Sequence, residues 1–349
     1  MSVLTSDSWL RTVSSVLTPH LPGEQSSLPS NLSLLSQFLN VSLSSELDPI
    51  SLPDSTGLVI GEGTTYQVEK ATIRKDTEFV AVKRTKFRFP KTRNQVLIGA
   101  GAEELYSRLR SVLLEIKTLS HPPLKNHPNI ARLLGYSWDE NATGYAPVLV
   151  VEFAQFGDAR AFFDRVRDLS WEEKRLFCAD IADGLDAVHS SMIVHGDVKL
   201  ENVLVFTNPA AERRFTAKLS DFEHALLDDV VPRYGGTRIY NAPEVHRQDT
   251  DPIPVVELQL CDVFSFGLLV FEAFCDGRRY VDFKECEPFR LTHTFDNTSL
   301  RQVLPSFSPR GAKRGFTLAS SQLFLCVSAL PVRYQVENRV YLVTKSTQH

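Results

Sequence analysis

Apolar positions along this chain recur with two different periods, and the change from one to the other marks its elements. From Thr56 onward the runs are short and strand-like: Gly57-Leu58-Val59-Ile60, then a stretch reaching Val68, then Val80-Ala81-Val82-Lys83. Such runs, rich in β-branched residues, predict strands. Gly61-Glu62-Gly63 between the first two predicts a hairpin turn. A helical period takes over from Glu103 to Leu119, where Leu105, Leu109, Val112, Leu113, Ile116 and Leu119 share one face. Val148-Leu149-Val150-Val151 is an apolar strand, and Trp171 to His189 predicts a second long helix through Phe177, Ile181, Leu185 and Val188. Another apolar helix is expected from Asp262 to Phe274. Upstream, Trp9/Val13/Leu17 and Leu32/Leu35/Phe38 predict two short amphipathic helices in the Ser- and Leu-rich residues 1–55. The tail carries strand-like runs at 323–327 and 340–343, and no repeat of fixed period is visible.

The polar residues that interrupt this pattern are the informative ones. His195 to Val205 lies between two apolar runs, Met192-Ile193-Val194 and Val203-Leu204-Val205, and holds Asp197, Lys199 and Asn202 at i, i+2 and i+5. Phosphoryl transfer needs such a set: a carboxylate for the attacking hydroxyl, a cation for the phosphate and an amide oxygen for Mg²⁺. Glycines such as Gly61 and Gly63 let a backbone approach phosphates closely, although a G-x-G hairpin is more often only a turn. Glu115 lies beside the apolar stripe of its helix and needs a partner, for which Lys83 is the candidate. Glu103 and Glu104 fall in the first turn and suit the helix dipole instead. The basic stretch from Lys83 to Arg93 reads as a solvated insertion loop.

Taken in order, these residues resemble a protein kinase domain. His195-Gly196-Asp197-Val198-Lys199-Leu200-Glu201-Asn202 is similar to the family's H-R-D-x-K-x-x-N loop, with glycine in place of the arginine. Asp221-Phe222-Glu223 stands where the family has D-F-G, and Gly236-Thr237 with Tyr240 and Ala242-Pro243-Glu244 fits its G-T-x-x-Y-x-A-P-E segment. Asp262 resembles the buried aspartate that braces the catalytic loop. The third glycine of the glycine-rich loop is Tyr66 here, which predicts a stiffer and bulkier tip. The resemblance covers about residues 57–285 and implies an α+β, two-lobed fold, with a small antiparallel β lobe over about 56–153 and a larger, mainly helical lobe from about 154.

The resemblance also implies roles. Asp197 would orient and deprotonate the substrate hydroxyl, Lys199 would stabilise charge on the γ-phosphate, and Thr237 would complete the catalytic set. Asn202 and Asp221 would hold Mg²⁺ or Mn²⁺. Lys83, paired with Glu115, would position ATP. Gly61 and Gly63 would cover its phosphates, Val68 and Ala81 would pack on the base, and Glu152 with Ala154 would form the hinge. Ile60 and Leu204 complete the nucleotide-binding set. Lys199 with Thr237 favours Ser/Thr over Tyr as the acceptor. Gly196 removes the arginine that usually receives an activation-loop phosphate, and the chain between Glu223 and Gly236 has no Ser or Thr, only Tyr234. Activity independent of Ser/Thr phosphorylation in that stretch is therefore expected.

Composition narrows the picture without changing it. The 349 residues are 43% hydrophobic and 23% charged, with a net charge of −4 that gives no reason to expect nucleic acid or a membrane surface as partner. Five cysteines, odd in number and without metal-ligand spacing, point to free thiols in an intracellular, cytoplasmic protein. No apolar run reaches the ~18 residues of a membrane span, and no secretory leader is visible. Protein substrates and ATP are the expected partners, and the oligomeric state stays open. Residues 1–55 are expected to form a variable extension, and 286–349 a divergent or truncated tail in which Arg333 is a weak candidate partner for Glu244. Two alternatives stand beside the kinase reading: a pseudokinase or scaffold, for which Tyr66 and Glu223 speak, and a small-molecule phosphotransferase of the aminoglycoside type, whose loop also begins H-G-D. Lys199 and Glu244 argue against the latter.

Overall fold

A computed structural model describes residues 31–52, 57–73, 79–90, 100–141, 144–208, 213–227, 230–231, 234–242, 245 and 253–282. The helix expected around Trp9 to Leu17, the Pro243-Glu244 pair, Arg333 and the strands expected in the tail lie outside the described residues. The chain divides into two compact units, one of residues 1–154 with 221–228, the other of 155–220 with 229–349.

The first unit is built on an antiparallel sheet. Its strands are β1 (Leu58–Glu62), β2 (Tyr66–Thr72), β3 (Phe79–Thr85), β4 (Phe89–Pro90), β5 (Leu133–Glu140) and β6 (Gly144–Glu152). They run in the order β1-β2-β3-β6-β4, with β5 also paired to β6. Val80 and Val82 of β3 and Val148 and Val150 of β6 form the centre of the core, which is where β-branched residues on a pleated surface pack best. Helix α1 (Asn31–Ser44) and helix α2 (Ala100–Leu119) accompany the sheet. The apolar face expected of α2, from Leu105 to Leu119, is buried throughout.

Two features of this unit lie beyond what periodicity could show. Phe38 of α1 packs edge-on against Tyr136 and Trp138 of β5. The chain after α1 then runs beside β5, where Ile50 N donates to Tyr136 O and Tyr136 N donates to Asp48 O. The approach is so close that a Cβ on Gly135 would collide with the Asp48 carbonyl, so glycine is required there. The second feature corrects the reading of the basic stretch as a solvated loop. Phe89–Pro90 forms a short strand against Gly144 and Tyr145. Arg88 pairs with Asp139 at 2.6 Å and Lys86 with Glu62 at 2.7 Å.

The second unit is mainly helical: α3 (Ala159–Arg165), α4 (Trp171–Ser190) and α5 (Val255–Phe274), with the ribbons β7 (Val203–Thr207)/β8 (Phe215–Leu219) and β9 (Val230–Val231)/β10 (Ile253–Pro254). Asp158 caps α3 by accepting from Ala161 N, and Ser170 with Glu173 forms a reciprocal capping box at α4. Phe162, Phe163, Phe177 and Ile181 are fully buried and fill its core. Helix α5 begins at Val255 rather than Asp262, because Val255, Leu258 and Cys261 extend the buried period upstream. Asp262 is thereby a mid-helix carboxylate with no exposure at all. Segregating sheet and helices this way is the α+β, two-lobed arrangement expected. No helix among the described residues is long and apolar enough to cross a membrane.

Candidate functional site

In the first unit the functional candidates gather around Lys83. The β2–β3 register sets Val68 opposite Lys83 and Tyr66 opposite Thr85. From α2, Glu115 reaches Lys83: Nζ lies 2.5 Å from Glu115 Oε1 and 3.6 Å from Asp221 Oδ1. Burial works against the Lys83 ammonium, but Glu115, Asp221 and Glu223 outweigh it and hold its pKa above the ordinary lysine value. Asp221 has left-handed backbone, φ 63°, a setting uncommon outside glycine and often met at functional sites. The adjoining Phe222 is fully buried and anchors the turn. Burial, then the Asp221 and Glu115 carboxylates, push the Glu223 carboxyl up to about 7 against the pull of Lys83.

Carboxylate oxygens of Glu115, Asp221 and Glu223 all lie within 4.8 Å of one another. Oxygen-only donors of this kind suit Mg²⁺ or Mn²⁺, so the chemistry of Asp221 fits the metal expected of it. Elsewhere in this unit, Gly63 N donates to Tyr66 O at 2.9 Å and closes the turn between β1 and β2. Gly61 and the half-exposed Ile60 lie on β1, and Val68 is half-buried on β2. Ala81 is buried opposite Val151. Glu152 accepts from Arg132 N through its carboxylate at 2.8 Å, and Ala154 is buried.

In the second unit Asp197, Lys199, Asn202 and Thr237 form one hydrogen-bonded group. Lys199 Nζ donates to Asp197 Oδ2 and to Thr237 Oγ1, each at 2.6 Å. Thr237 N donates to Asp197 Oδ1 at 2.6 Å. Asn202 Nδ2 donates to Asp197 O at 2.8 Å and to its Oδ2 at 2.9 Å. With its amide hydrogens so engaged, Asn202 has Oδ1 to offer a cation, again a hard oxygen donor. Burial alone would raise the Asp197 carboxyl, but the bonds from Lys199 and Thr237 more than offset it and hold it below the ordinary carboxylate value. Leu204, on β7, is paired with Lys218 in the neighbouring strand and lies outside this group.

The loop itself is held from beneath. Asp262 accepts His195 N at 2.7 Å and Gly196 N at 2.9 Å, and lies 2.9 Å from His189 Nε2. Tyr234 donates its hydroxyl to Asp262 Oδ1 at 2.7 Å. Burial is opposed by His189 above all, then by His195 and Tyr234, so the Asp262 carboxyl sits below its ordinary value. Gly196 and Gly236, with φ of 80° and 81°, meet so closely that a Cβ on Gly236 would strike the Gly196 carbonyl oxygen.

The sequence marks Tyr66 and Glu223 as departures and Tyr234 as the one hydroxyl residue between Glu223 and Gly236, but not where they point. Tyr66 is buried against Lys83, and Tyr234 is bonded to Asp262. Sequence reasoning also missed the Arg160–Glu272 pair at 2.5 Å, whose carboxylate is fully buried and which binds the Tyr240 hydroxyl from both sides. An arginine entering one apolar helix and a glutamate inside another was the available signal.

Comparison with known proteins gives the same family. The protein kinase domain matches residues 55–300, more than half of the chain. Similar proteins include the L-type lectin-domain containing receptor kinase V.5 of Arabidopsis thaliana, 28% identical over 240 residues that cover 66% of this chain and 31% of that one. The receptor-like cytosolic serine/threonine-protein kinase RBK1 of the same plant is 32% identical over 191 residues, 52% of this chain and 36% of its own. Aurora kinase of Dictyostelium discoideum is 32% identical over 167 residues, 47% of this chain and 38% of its own. The matched part is therefore only about a third of each relative's length. By its sequence match and its fold, this chain belongs to the protein kinase domain family.

Proposed function

We propose that this chain is a protein kinase that transfers the γ-phosphate of ATP to Ser or Thr hydroxyls of protein substrates. The observation that carries the reading is the Lys199 ammonium shared between Asp197 Oδ2 and Thr237 Oγ1. It keeps an ionised carboxylate and a cation side by side, which is the pairing that in-line phosphoryl transfer asks for. Asp197 accepts the proton of the substrate hydroxyl as its oxygen bonds to the γ-phosphorus. The bond from that phosphorus to the β-phosphate oxygen breaks, and ADP leaves. Lys199 offsets charge on the transferring group, and Thr237 sets the acceptor beside Asp197. Asn202 Oδ1 and the Asp221 carboxylate would hold Mg²⁺ or Mn²⁺, which supplies charge neutralisation on the phosphates. Lys83, steadied by Glu115, takes the α- and β-phosphates under Gly61 and Gly63. Ile60, Val68 and Ala81 would pack on the base, and the backbone of Glu152 and Ala154 would bond its edge.

In this reading the kinase domain spans about 56–285, residues 1–55 are an N-terminal extension and 286–349 a divergent tail. Thiols outside any disulfide at Cys178, Cys261 and Cys275 support an intracellular, cytoplasmic place of action. A second reading, a scaffold that binds nucleotide without efficient transfer, is favoured by Tyr66 and Glu223 at positions the family gives to glycine. Incubation with γ-labelled ATP, Mg²⁺ or Mn²⁺ and generic protein acceptors separates the readings. Label on Ser and Thr of the acceptor supports the kinase. Nucleotide binding without transfer supports the scaffold, and label on small alcohols alone supports a small-molecule phosphotransferase.

A further inference from the structure

Successive side chains of a strand alternate between faces, so Tyr66 and Val68 of β2 share one face. Lys83 stands opposite Val68, which makes Tyr66 its diagonal neighbour on that face. The ring takes up this relationship fully: Lys83 Nζ lies 4.3 Å from the Tyr66 ring centroid, and Tyr66 is 2% exposed. The same ammonium already holds Glu115 at 2.5 Å and faces Asp221 at 3.6 Å. Beside the ring, Thr65 is buried and its hydroxyl helps to hold the Glu223 carboxyl. The tip of the β1–β2 hairpin is thus drawn onto the lysine and the carboxylates around it.

Size decides what this leaves for a phosphate. A phosphate oxygen bonded to an ammonium sits about 2.8 Å from the nitrogen, and it needs about 3.5 Å to the nearest ring carbon. The 4.3 Å between Nζ and the ring is too small to admit it on that side. A cation over an aromatic face, desolvated as here, is moreover a favourable contact that a ligand must displace.

We propose that Tyr66 is a gate over Lys83: the buried ring occupies the space a nucleotide's α- and β-phosphates need, so that triphosphates bind only when the ring swings away. The proposal rests on the reading of Lys83 as the phosphate-binding lysine. It deepens that reading by naming the residue that sets which ligands the site takes. Ligands without phosphates, such as adenosine, do not meet the gate.

Titration calorimetry with Mg²⁺·ATP and, separately, adenosine tests this on the full chain, using wild type, Tyr66→Gly, Tyr66→Ala and Tyr66→Phe. Tyr66→Ala stands in should glycine weaken the strand, and thermal melts confirm that each variant is folded. The gate predicts Mg²⁺·ATP affinity at least about tenfold higher in Tyr66→Gly and Tyr66→Ala, adenosine affinity changed by less than about twofold, and Tyr66→Phe close to wild type. Unchanged or weaker ATP binding in both small variants, with adenosine still bound, overturns the gate and leaves the nucleotide reading standing. Equal tightening of ATP and adenosine overturns it as well. Absence of any nucleotide or nucleoside binding by every form removes the nucleotide reading and the gate together.

Discussion

Tyr234 and Asp262 are joined by a 2.7 Å hydrogen bond to Oδ1, the oxygen that also accepts the Gly196 amide. The phenol thereby ties the segment ahead of Thr237 to the carboxylate that carries the loop from His195 to Asn202. Gly196 occupies the position where the family has its phosphate-reading arginine, and the tie needs no phosphate. Tyr234→Phe is therefore expected to lower kcat for a protein substrate roughly tenfold, the effect of losing one bond to a charged group, with KM for ATP unchanged. Hydrogen exchange at the His195 and Gly196 amides should speed up selectively. Exchange unchanged there, or raised equally everywhere, would show the ring to be packing only. A phosphate on Tyr234, the only hydroxyl residue between 224 and 235, would break this bond, so mass spectrometry of active protein should find Tyr234 unphosphorylated.

Arg160 and Glu272 form a second tie, from α3 to α5, and bind Tyr240 between them. Glu272 has no exposure, so removing its partner would strand a buried carboxylate. Arg160→Ala should lose about 3 kcal/mol of stability in urea unfolding. Tyr240→Phe, which leaves the ion pair intact, should lose less. Equal losses would contradict the central place given to the pair.

His121, two residues past the end of α2, is 3% exposed, and burial pushes its imidazole down to about 4. Its ordinary value is about 6.5, so between those limits the unfolded chain holds a proton that the folded chain does not. The stability this contributes is complete above pH 6.5 and is lost progressively as pH falls toward 4. The urea midpoint of wild type should accordingly fall more steeply than that of His121→Gln across this window. Parallel curves would refute it.

What the sequence disclosed depended on how far apart the interacting residues lie along the chain. Asp197, Lys199 and Asn202 fall within one loop, so the grouping of three polar residues between two apolar runs could be read directly. The Lys83–Glu115 pair was also readable, because a carboxylate beside the apolar stripe of α2 demands a cation. Tyr66 was visible as a departure, but its burial on Lys83 follows from strand register and not from local pattern. Tyr234 and Asp262 meet only when a loop folds against a helix distant in sequence. The two residues of β4 are too few to show a period, and the early start of α5 was masked by the polar Glu257 and Gln259 between Val255, Leu258 and Cys261. The packing of residues 31–52 against β5 is likewise a long-range pairing.

The central claim is that the ionised Asp197, held between Lys199 and Thr237, drives transfer to a protein hydroxyl. The most direct test is the initial rate of phosphate transfer from ATP to a generic Ser/Thr acceptor, wild type against Asp197→Asn, with Mg²⁺ or Mn²⁺ present. Wild type should transfer to Ser and Thr, and the variant should be slower by about a hundredfold or more while still binding nucleotide. Equal rates in the two proteins, or no transfer by wild type under conditions where nucleotide is bound, would contradict it.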